Sequence, residues 1–69
     1  MNLNILMMIK TANLKVGMTR EEVRLSVGEP DDVGGTSRYF FEPWKAGRLI
    51  YTAKYDDDGL FIEVLPPGG

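Results

Sequence analysis

The sequence contains no cysteine and no histidine, and these two absences exclude several classes of function. Without cysteine there is neither a disulfide framework nor a thiolate metal site. Without histidine the chain lacks the commonest metal ligand and the commonest general base. We therefore expect a protein that binds rather than catalyses, with no cofactor and no metal ion.

Long apolar runs and a large net charge are also missing. The apolar residues 2–9 are interrupted by Asn4 and end at Lys10, with no cleavage site after them. This stretch is therefore not predicted to be a signal peptide, and it is far shorter than the roughly 18 residues that span a membrane. The net charge of −2 indicates neither a basic nucleic-acid surface nor an acidic mimic of one. We expect a cytoplasmic protein with no membrane partner.

The chain of 69 residues is long enough for one domain, residues 1–69. A chain of this length buries only about 60% of the surface that it exposes when unfolded, so its hydrophobic core is thin. No disulfide can reinforce that core. Either the small core suffices, or a second copy of the chain adds to it.

The first predicted element is the ambiguous one. Helical spacing places four apolar residues of segment 3–13 on one face, namely Ile5, Met8, Ile9 and Ala12. Leucine, methionine, lysine and alanine favour a helix as well. However, apolar residues also alternate from Leu3 to Ile9, as they would in a strand. Residues 1–13 are therefore predicted as an N-terminal helix, with a strand exchanged between chains as the alternative.

The second predicted element is a helix over residues 20–27. Thr19 and Glu22 have the spacing of a capping box, in which each side chain accepts a hydrogen bond from the backbone N–H of the other. Gly28 is typical of the residue that ends a helix, and Pro30 prevents its continuation. Both ends of this helix are therefore specified locally.

Three strands follow a polar loop over residues 31–37. The strand-like runs, rich in aromatic or alternating apolar residues, are residues 38–44, 48–55 and 60–65. Short turns at residues 45–47 and 56–59 join them, which favours antiparallel pairing. The tail, Pro66-Pro67-Gly68-Gly69, is predicted to fray. The fold class is α+β, with two short helices followed by a three-stranded antiparallel meander.

A recognisable pattern spans the two helices and the meander. It consists of Leu14-Lys15-Val16-Gly17-Met18-Thr19, then Val23, then Gly28-Glu29-Pro30. This pattern resembles the SmpA/OmlA (BamE-like) family of outer-membrane assembly lipoproteins and the helix–helix–meander repeat of secreted β-lactamase inhibitor proteins. Residues 18–38 are also similar to short bacterial proteins of unknown function. The resemblance covers about residues 14–65 and implies a fold used for protein binding. Because the chain lacks a lipid-attachment cysteine and a signal-peptide pattern, the family's membrane role is not expected here.

Three polar segments are candidate sites, but each is better explained as a loop. The acids of residues 56–58 are consecutive, whereas calcium loops alternate their ligands and close with a distant Glu. Asp31 and Asp32 are adjacent on a loop, whereas an acid–base pair is held apart across a substrate. Residues 34–37 lack the lysine and the helix of a phosphate-binding loop. We predict no catalytic, cofactor-binding or metal-binding residues.

A basic and aromatic surface is the basis of the alternative function. It would combine Lys45, Arg48 and Lys54 with Tyr39, Phe40 and Trp44. Exposed rings and cations of this kind bind single-stranded nucleic acid, although the same rings are more simply explained as core packing. Nucleic-acid binding, or inhibition of a nucleic-acid enzyme, is therefore the alternative, and an enzyme with carboxylate chemistry is less favoured still.

Surplus apolar residues predict the leading function. The residues expected to face the helices are Leu49, Tyr51, Ala53, Tyr55, Leu60, Ile62 and Val64. The opposite sheet face then carries Ile50 and Phe61, with either Phe40 and Trp44 or Tyr39 and Phe41 depending on the register of the first strand.

On the second helix, Leu25 lies far from the core stripe of Val23 and Val27. Small monomers rarely leave such patches bare, unless the N-terminal segment or the tail folds over them. The predicted interaction surface is Leu25, Phe40, Trp44, Ile50 and Phe61. The predicted function is a protein-interaction module that binds a protein partner or itself, as a two-fold dimer.

Overall fold

A computed structural model describes residues 2–31, 34–35 and 39–68. The elements in chain order are α1 (Leu3–Ala12), α2 (Arg20–Val27), β1 (Gly34–Gly35), β2 (Phe40–Ala46), β3 (Leu49–Tyr55) and β4 (Phe61–Gly68). The strands form one antiparallel sheet in the order β1-β2-β3-β4. The predicted α+β class, two short helices followed by an antiparallel meander, is confirmed, with the two-residue β1 as an addition.

The N-terminal segment is a helix and not an exchanged strand. Asn2 caps it, because the Asn2 Oδ1 atom accepts hydrogen bonds from the backbone N–H groups of Asn4 and Ile5 at 2.7 and 3.2 Å. Lys10 lies in the last turn, where the helix dipole favours a positive charge. In the part of the chain that the structure describes, neither helix has the length and apolar character needed to cross a membrane.

The second helix has the predicted capping box. The Thr19 hydroxyl accepts from the Glu22 N–H at 3.2 Å, and the Glu22 carboxylate accepts from the Thr19 N–H at 3.1 Å. At the other end Gly28 has a φ of 112°, a conformation that residues with a Cβ rarely adopt. The local signals in the sequence therefore placed both ends of α2 correctly.

The hydrophobic core lies between α2 and one face of the sheet. Its buried cluster consists of Val23, Val27, Trp44, Ala53, Tyr55 and Phe61. The indole N–H of Trp44 donates a hydrogen bond to the Gly28 carbonyl at 2.8 Å, which fixes the end of α2 against β2. On β3 the alternation predicted from the sequence is correct, because Tyr51, Ala53 and Tyr55 are all buried.

A β-bulge in β4 reverses the predicted orientation of Phe61. Tyr55 pairs with Phe61, whereas Lys54 pairs with Glu63, so Ile62 is an extra residue in β4. Successive side chains of a strand normally point to opposite faces of the sheet, and an extra residue interrupts this order. Phe61 and Val64 therefore both face the helices, although they are three residues apart. The predicted placement of Phe61 on the outer sheet face is wrong, since Phe61 is only 4% exposed.

The register of β2 settles the orientation of its aromatic residues. Trp44 pairs directly with Tyr51, and paired residues point to the same face of a sheet. Because Tyr51 faces the core, Trp44 does so too and is 2% exposed. Of the two registers that the sequence left open, the one with Phe41 on the outer face is therefore correct, and the placement of Trp44 in the interaction surface is wrong. Phe40 lies on the same side at the rim of the core, whereas Phe41 faces outward.

Two predicted irregular segments contain strand residues. Strand β4 continues to Gly68, so fraying of the tail is wrong for residues 66–68, and Gly69 lies outside the described residues. Prolines are tolerated there because β4 is an edge strand and its register against β3 shifts between Leu65 and Gly68, the interval that contains both prolines. Strand β1 lies within the predicted loop, in which residues 32–33 and 36–37 are outside the described part of the chain.

The capping box of α2 generates the first prediction. Replacing Thr19 with Ala leaves the Glu22 N–H without its acceptor and should lower the free energy of unfolding by about 1 kcal/mol. Urea denaturation would measure the change. Ser26→Ala, a substitution inside α2 that improves helix propensity, is the matched control and should not destabilise the protein. Equal stability of the Thr19 variant and the wild type would contradict the prediction.

Candidate functional site

The side of α1 that points away from the sheet is apolar. It is formed by Ile5, Met8, Ile9 and Ala12, which share one side of the helix as their spacing predicted. We refer to these four residues as the α1 face. Ile5, Met8 and Ile9 are 49%, 55% and 49% exposed, so half of each side chain is in contact with solvent. The surface of a short helix is thus open to a partner.

The opposite side of α1 attaches the helix to the rest of the domain. The Tyr51 hydroxyl is hydrogen-bonded to the side-chain oxygen of Asn4, and Met7 packs against the core. No residue of the ten-residue helix is fully buried. Because an isolated helix of this length is marginal in water, α1 depends on tertiary contacts that this chain supplies on one side only.

The five residues of the predicted interaction surface do not form one surface. Trp44 and Phe61 belong to the core. Leu25 is 88% exposed on the side of α2 that faces away from the sheet, and Ile50 is 39% exposed on the outer sheet face. Phe40, at 38% exposure, lies at the rim of the core on the helix side of the sheet. Leu25 and Ile50 therefore lie on opposite sides of the domain.

The outer face of the sheet carries polar and apolar residues together. One row across the strands joins Phe41, Lys54 and Glu63. The Lys54 ammonium lies 4.0 Å from the centre of the Tyr39 ring. The predicted basic and aromatic set is thus divided, because Trp44 is buried in the core and has no ring surface for a nucleic-acid base to stack on.

A buried carboxylate joins α2 to the sheet. Glu42 in β2 is 0% exposed, and its Oε2 atom accepts hydrogen bonds from the guanidinium groups of Arg20 and Arg24 at 3.2 and 2.5 Å. The Arg20 guanidinium also lies over the rings of Phe40 and Tyr55, at 5.8 and 6.0 Å from their centres. Two cations of one helix therefore hold one carboxylate of a central strand.

The surroundings of Glu42 alter the pKa of three groups. Burial alone would raise the pKa of Glu42, but the Tyr55 hydroxyl and the guanidinium groups of Arg24 and Arg20 outweigh it and hold the pKa below its ordinary value. The hydrogen bond and the charge of Glu42 raise the pKa of Arg24. Burial, followed by the nearby Glu42 carboxylate, raises the pKa of Tyr55. The cluster therefore keeps Glu42 ionised and Tyr55 neutral.

The Glu42 cluster supports the fold and does not resemble a catalytic site. Its carboxylate is enclosed by protein and engaged with two arginines, so a substrate cannot reach it. The sequence pattern did not indicate a role for Glu42. The available signal was a lone acid in an aromatic strand together with Arg20 and Arg24, which stand four residues apart on one side of α2.

Asp31 covers the edge of β2 beyond the short strand β1. The Asp31 N–H donates to the Pro43 carbonyl at 2.8 Å, and the Asp31 carboxylate accepts from the Lys45 N–H at 2.6 Å. This carboxylate therefore pairs with backbone, which agrees with its predicted loop role. Its predicted neighbour Asp32 lies outside the described residues.

The linker between the helices covers the start of the other edge strand, β4. Gly17 donates its N–H to the Phe61 carbonyl at 3.0 Å, and Phe61 donates its N–H to the Met18 carbonyl at 2.8 Å. The rest of β4 includes two prolines, which have no N–H to donate. Pairing of a second chain along either edge is therefore restricted.

The acidic turn is organised by one of its three carboxylates. Asp56 Oδ1 accepts from the backbone N–H groups of Asp58 and Leu60, both at 2.9 Å. The carboxylates of Asp56, Asp57 and Asp58 do come close, with one oxygen of each within 4.8 Å of the others. However, Asp57 and Asp58 are exposed, and the Asp56 oxygen already completes the turn.

Comparison with known proteins found no relative of this chain. No protein-family model matches the sequence, and no curated protein or solved structure matches it at a significant level. The resemblance to the SmpA/OmlA family therefore stays a prediction.

The Glu42 cluster predicts a dependence of stability on pH. The pKa of Glu42 lies below its ordinary value of 4.5, so its ionised form stabilises the fold above that pH, and this contribution is lost as the pH falls through the folded-state pKa. Glu42→Gln should lower the free energy of unfolding by about 2 kcal/mol near neutral pH. This loss is smaller than for a fully buried ion pair, because both arginines are partly exposed to solvent.

Urea denaturation at a series of pH values would measure this effect. The difference between wild type and Glu42→Gln should shrink once the pH falls below 4.5. Asp57→Asn, at an exposed position, is the matched control and should differ little from wild type at any pH. A constant difference across the acid range would contradict the role assigned to the Glu42 charge.

The acidic turn generates a prediction about metal ions. Millimolar calcium or magnesium should leave the thermal midpoint unchanged, because only an ion that binds the folded state preferentially would raise it. Differential scanning calorimetry would measure the midpoint, with Asp58→Asn as the comparison. A saturable increase in the wild type that the substitution abolishes would identify a metal site here.

Proposed function

We propose that this chain is a small, non-enzymatic protein-interaction module that self-associates through the α1 face. The observation that carries the proposal is the exposure of Ile5, Met8 and Ile9 on one side of a helix with no buried residue. Water in contact with such apolar surface is unfavourable by about 25 cal/mol per Å². A helix that is apolar on most sides is normally covered by other protein.

Three carboxylates that hold structural contacts support a non-enzymatic role. Glu42 is enclosed by two guanidinium groups, Asp31 is bonded to backbone N–H of β2, and Asp56 completes its own turn. Each is occupied by a contact that holds the fold together. An acid–base pair needs its two groups open to a substrate that lies between them.

The sheet edges favour the helix face as the place of association. An unprotected edge strand is the usual alternative route to self-association. Here Asp31 covers part of the β2 edge, and Gly17 and Met18 cover the start of β4. The α1 face has no comparable cover from the described residues of its own chain.

A protein partner suits the α1 face better than a membrane does. Helices that lie on membranes usually have a polar side rich in lysine and arginine. Lys10 is the one charged residue of α1, and it lies outside the α1 face. A face without charge matches an equally apolar protein surface.

Nucleic-acid binding, the alternative function, has weaker support. Lys45 and Lys54 do lie on the outer sheet face, but Glu63 shares a row with Lys54 and the chain carries a net charge of −2. Binding to nucleic acid depends mainly on clustered positive charge. Salt-dependent retention on immobilised single-stranded DNA would favour this alternative over the proposal.

A charge placed on the α1 face tests the proposed function. Sedimentation velocity over a range of concentrations should show the wild type passing from one copy towards two. Ile9→Asp should weaken association at least about tenfold, because pairing would then bury an unpaired carboxylate at a cost above about 1.4 kcal/mol.

The matched control is Val16→Asp, which adds the same charge at a residue that is 79% exposed outside the helices. This variant should associate like the wild type. Leu25→Asp separates the α1 face from the surface predicted on α2, and it should also associate normally. A wild type that remains monomeric at every concentration, or an Ile9→Asp variant that associates normally, would refute the proposal.

A further inference from the structure

We infer that two copies of the chain pair their α1 helices antiparallel, about a two-fold axis between Met8 and Ile9. This inference rests on the proposed self-association and adds the partner's orientation. In this arrangement Ile5 of one copy lies opposite Ala12 of the other, and Met8 lies opposite Ile9. Two-fold symmetry requires each such contact to occur twice.

The sizes of the side chains on the α1 face favour antiparallel pairing. Ile5 is large and stands near one end of the face, whereas Ala12 is small and stands near the other end. Antiparallel pairing places a large residue against a small one at both ends, so the two helices can lie close along their whole length. Parallel pairing would oppose Ile5 to Ile5 and Ala12 to Ala12, which crowds one end and leaves a gap at the other.

The charges of α1 also suit an antiparallel pair. The four residues of the α1 face are uncharged, and Lys10 lies outside it, so pairing brings no like charges together on this face. Each helix carries partial positive charge at its N-terminus and partial negative charge at its C-terminus. Antiparallel helices place opposite ends next to each other, whereas parallel helices place like ends together.

The small extent of the α1 face predicts a weak dimer. Three of its side chains are about half exposed, so each copy has only part of four side chains to bury. Stable interfaces bury about 800 Å² on each partner. The pair should therefore exchange with monomer and form progressively as concentration increases, and the fold of each copy should not depend on it.

Single introduced cysteines can report the orientation, because the natural chain contains none. Near the axis, Met8→Cys places two thiols close together, so mild oxidation should convert this variant into a disulfide dimer. The two Cys residues of an Ala12→Cys pair would be about 10 Å apart along the antiparallel helices, since each residue adds 1.5 Å. That separation exceeds the roughly 7 Å limit between the Cα atoms of a disulfide.

The decisive sample is a mixture of Ile5→Cys with a mass-tagged Ala12→Cys. We expect the mixture to form predominantly the mixed disulfide dimer, and each variant alone to remain mostly reduced. Leu25→Cys, which is 88% exposed on α2, measures cross-linking by random collision and should react more slowly than Met8→Cys. Circular dichroism of each variant would verify that the fold is retained.

The outcomes separate this inference from the function on which it rests. Rapid cross-linking of Ala12→Cys alone, without preference for the mixed dimer, would indicate parallel helices and overturn the antiparallel arrangement only. A wild type that dimerises in sedimentation while Met8→Cys reacts no faster than Leu25→Cys would place the interface elsewhere. A wild type that never dimerises would overturn both proposals.

Discussion

The ion pairs between Glu42 and α2 are the contact on which the arrangement of helix and sheet depends. Glu42 is completely buried in a central strand, and its charge is balanced by Arg20 and Arg24. Burying an unpaired carboxylate is so unfavourable that α2 has to lie where both guanidinium groups reach it. This requirement allows one position of the helix along the strand. The apolar contacts of Val23 and Val27 alone would allow the helix to shift, because such contacts do not depend on direction.

The position of α2 has consequences for the rest of the domain. With α2 over the sheet, Trp44 reaches the Gly28 carbonyl, and the linker after α1 lies along the start of β4. Little of the remaining core surface is left for α1, which is held mainly through Asn4 and Met7. A chain of 69 residues thus completes its core with one helix and attaches the other at the margin.

The marginal attachment of α1 explains why a binding function suits this architecture. The sheet edges are covered in part, the carboxylates of Glu42, Asp31 and Asp56 are used in structural contacts, and the apolar α1 face is uncharged. A surface of this kind binds by excluding water, which works equally well with a second copy of itself. The proposed interaction keeps the apolar character that the sequence predicted, but we propose that it lies on α1 and not on the sheet or at Leu25.

Short-range features of the fold followed from the sequence by itself. Thr19, Glu22 and Gly28 act through neighbouring backbone atoms, so their positions along the chain were enough to place α2. The turn residues likewise determined that the strands form an antiparallel meander. The spacing of Ile5, Met8 and Ile9 predicted one face of a helix but left a strand open, and the structure decided for the helix. The spacing also did not indicate whether that face is covered.

The tertiary structure decided every feature that depends on the pairing of distant residues. The bulge at Ile62 turned Phe61 into the core, and the pairing of Trp44 with Tyr51 did the same for Trp44. Neither the extra residue nor the register leaves a local mark, because alternation in a single strand is compatible with both faces. The partners of Glu42 and the exposure of α1 depend on where α2 packs, which is a property of the assembled core.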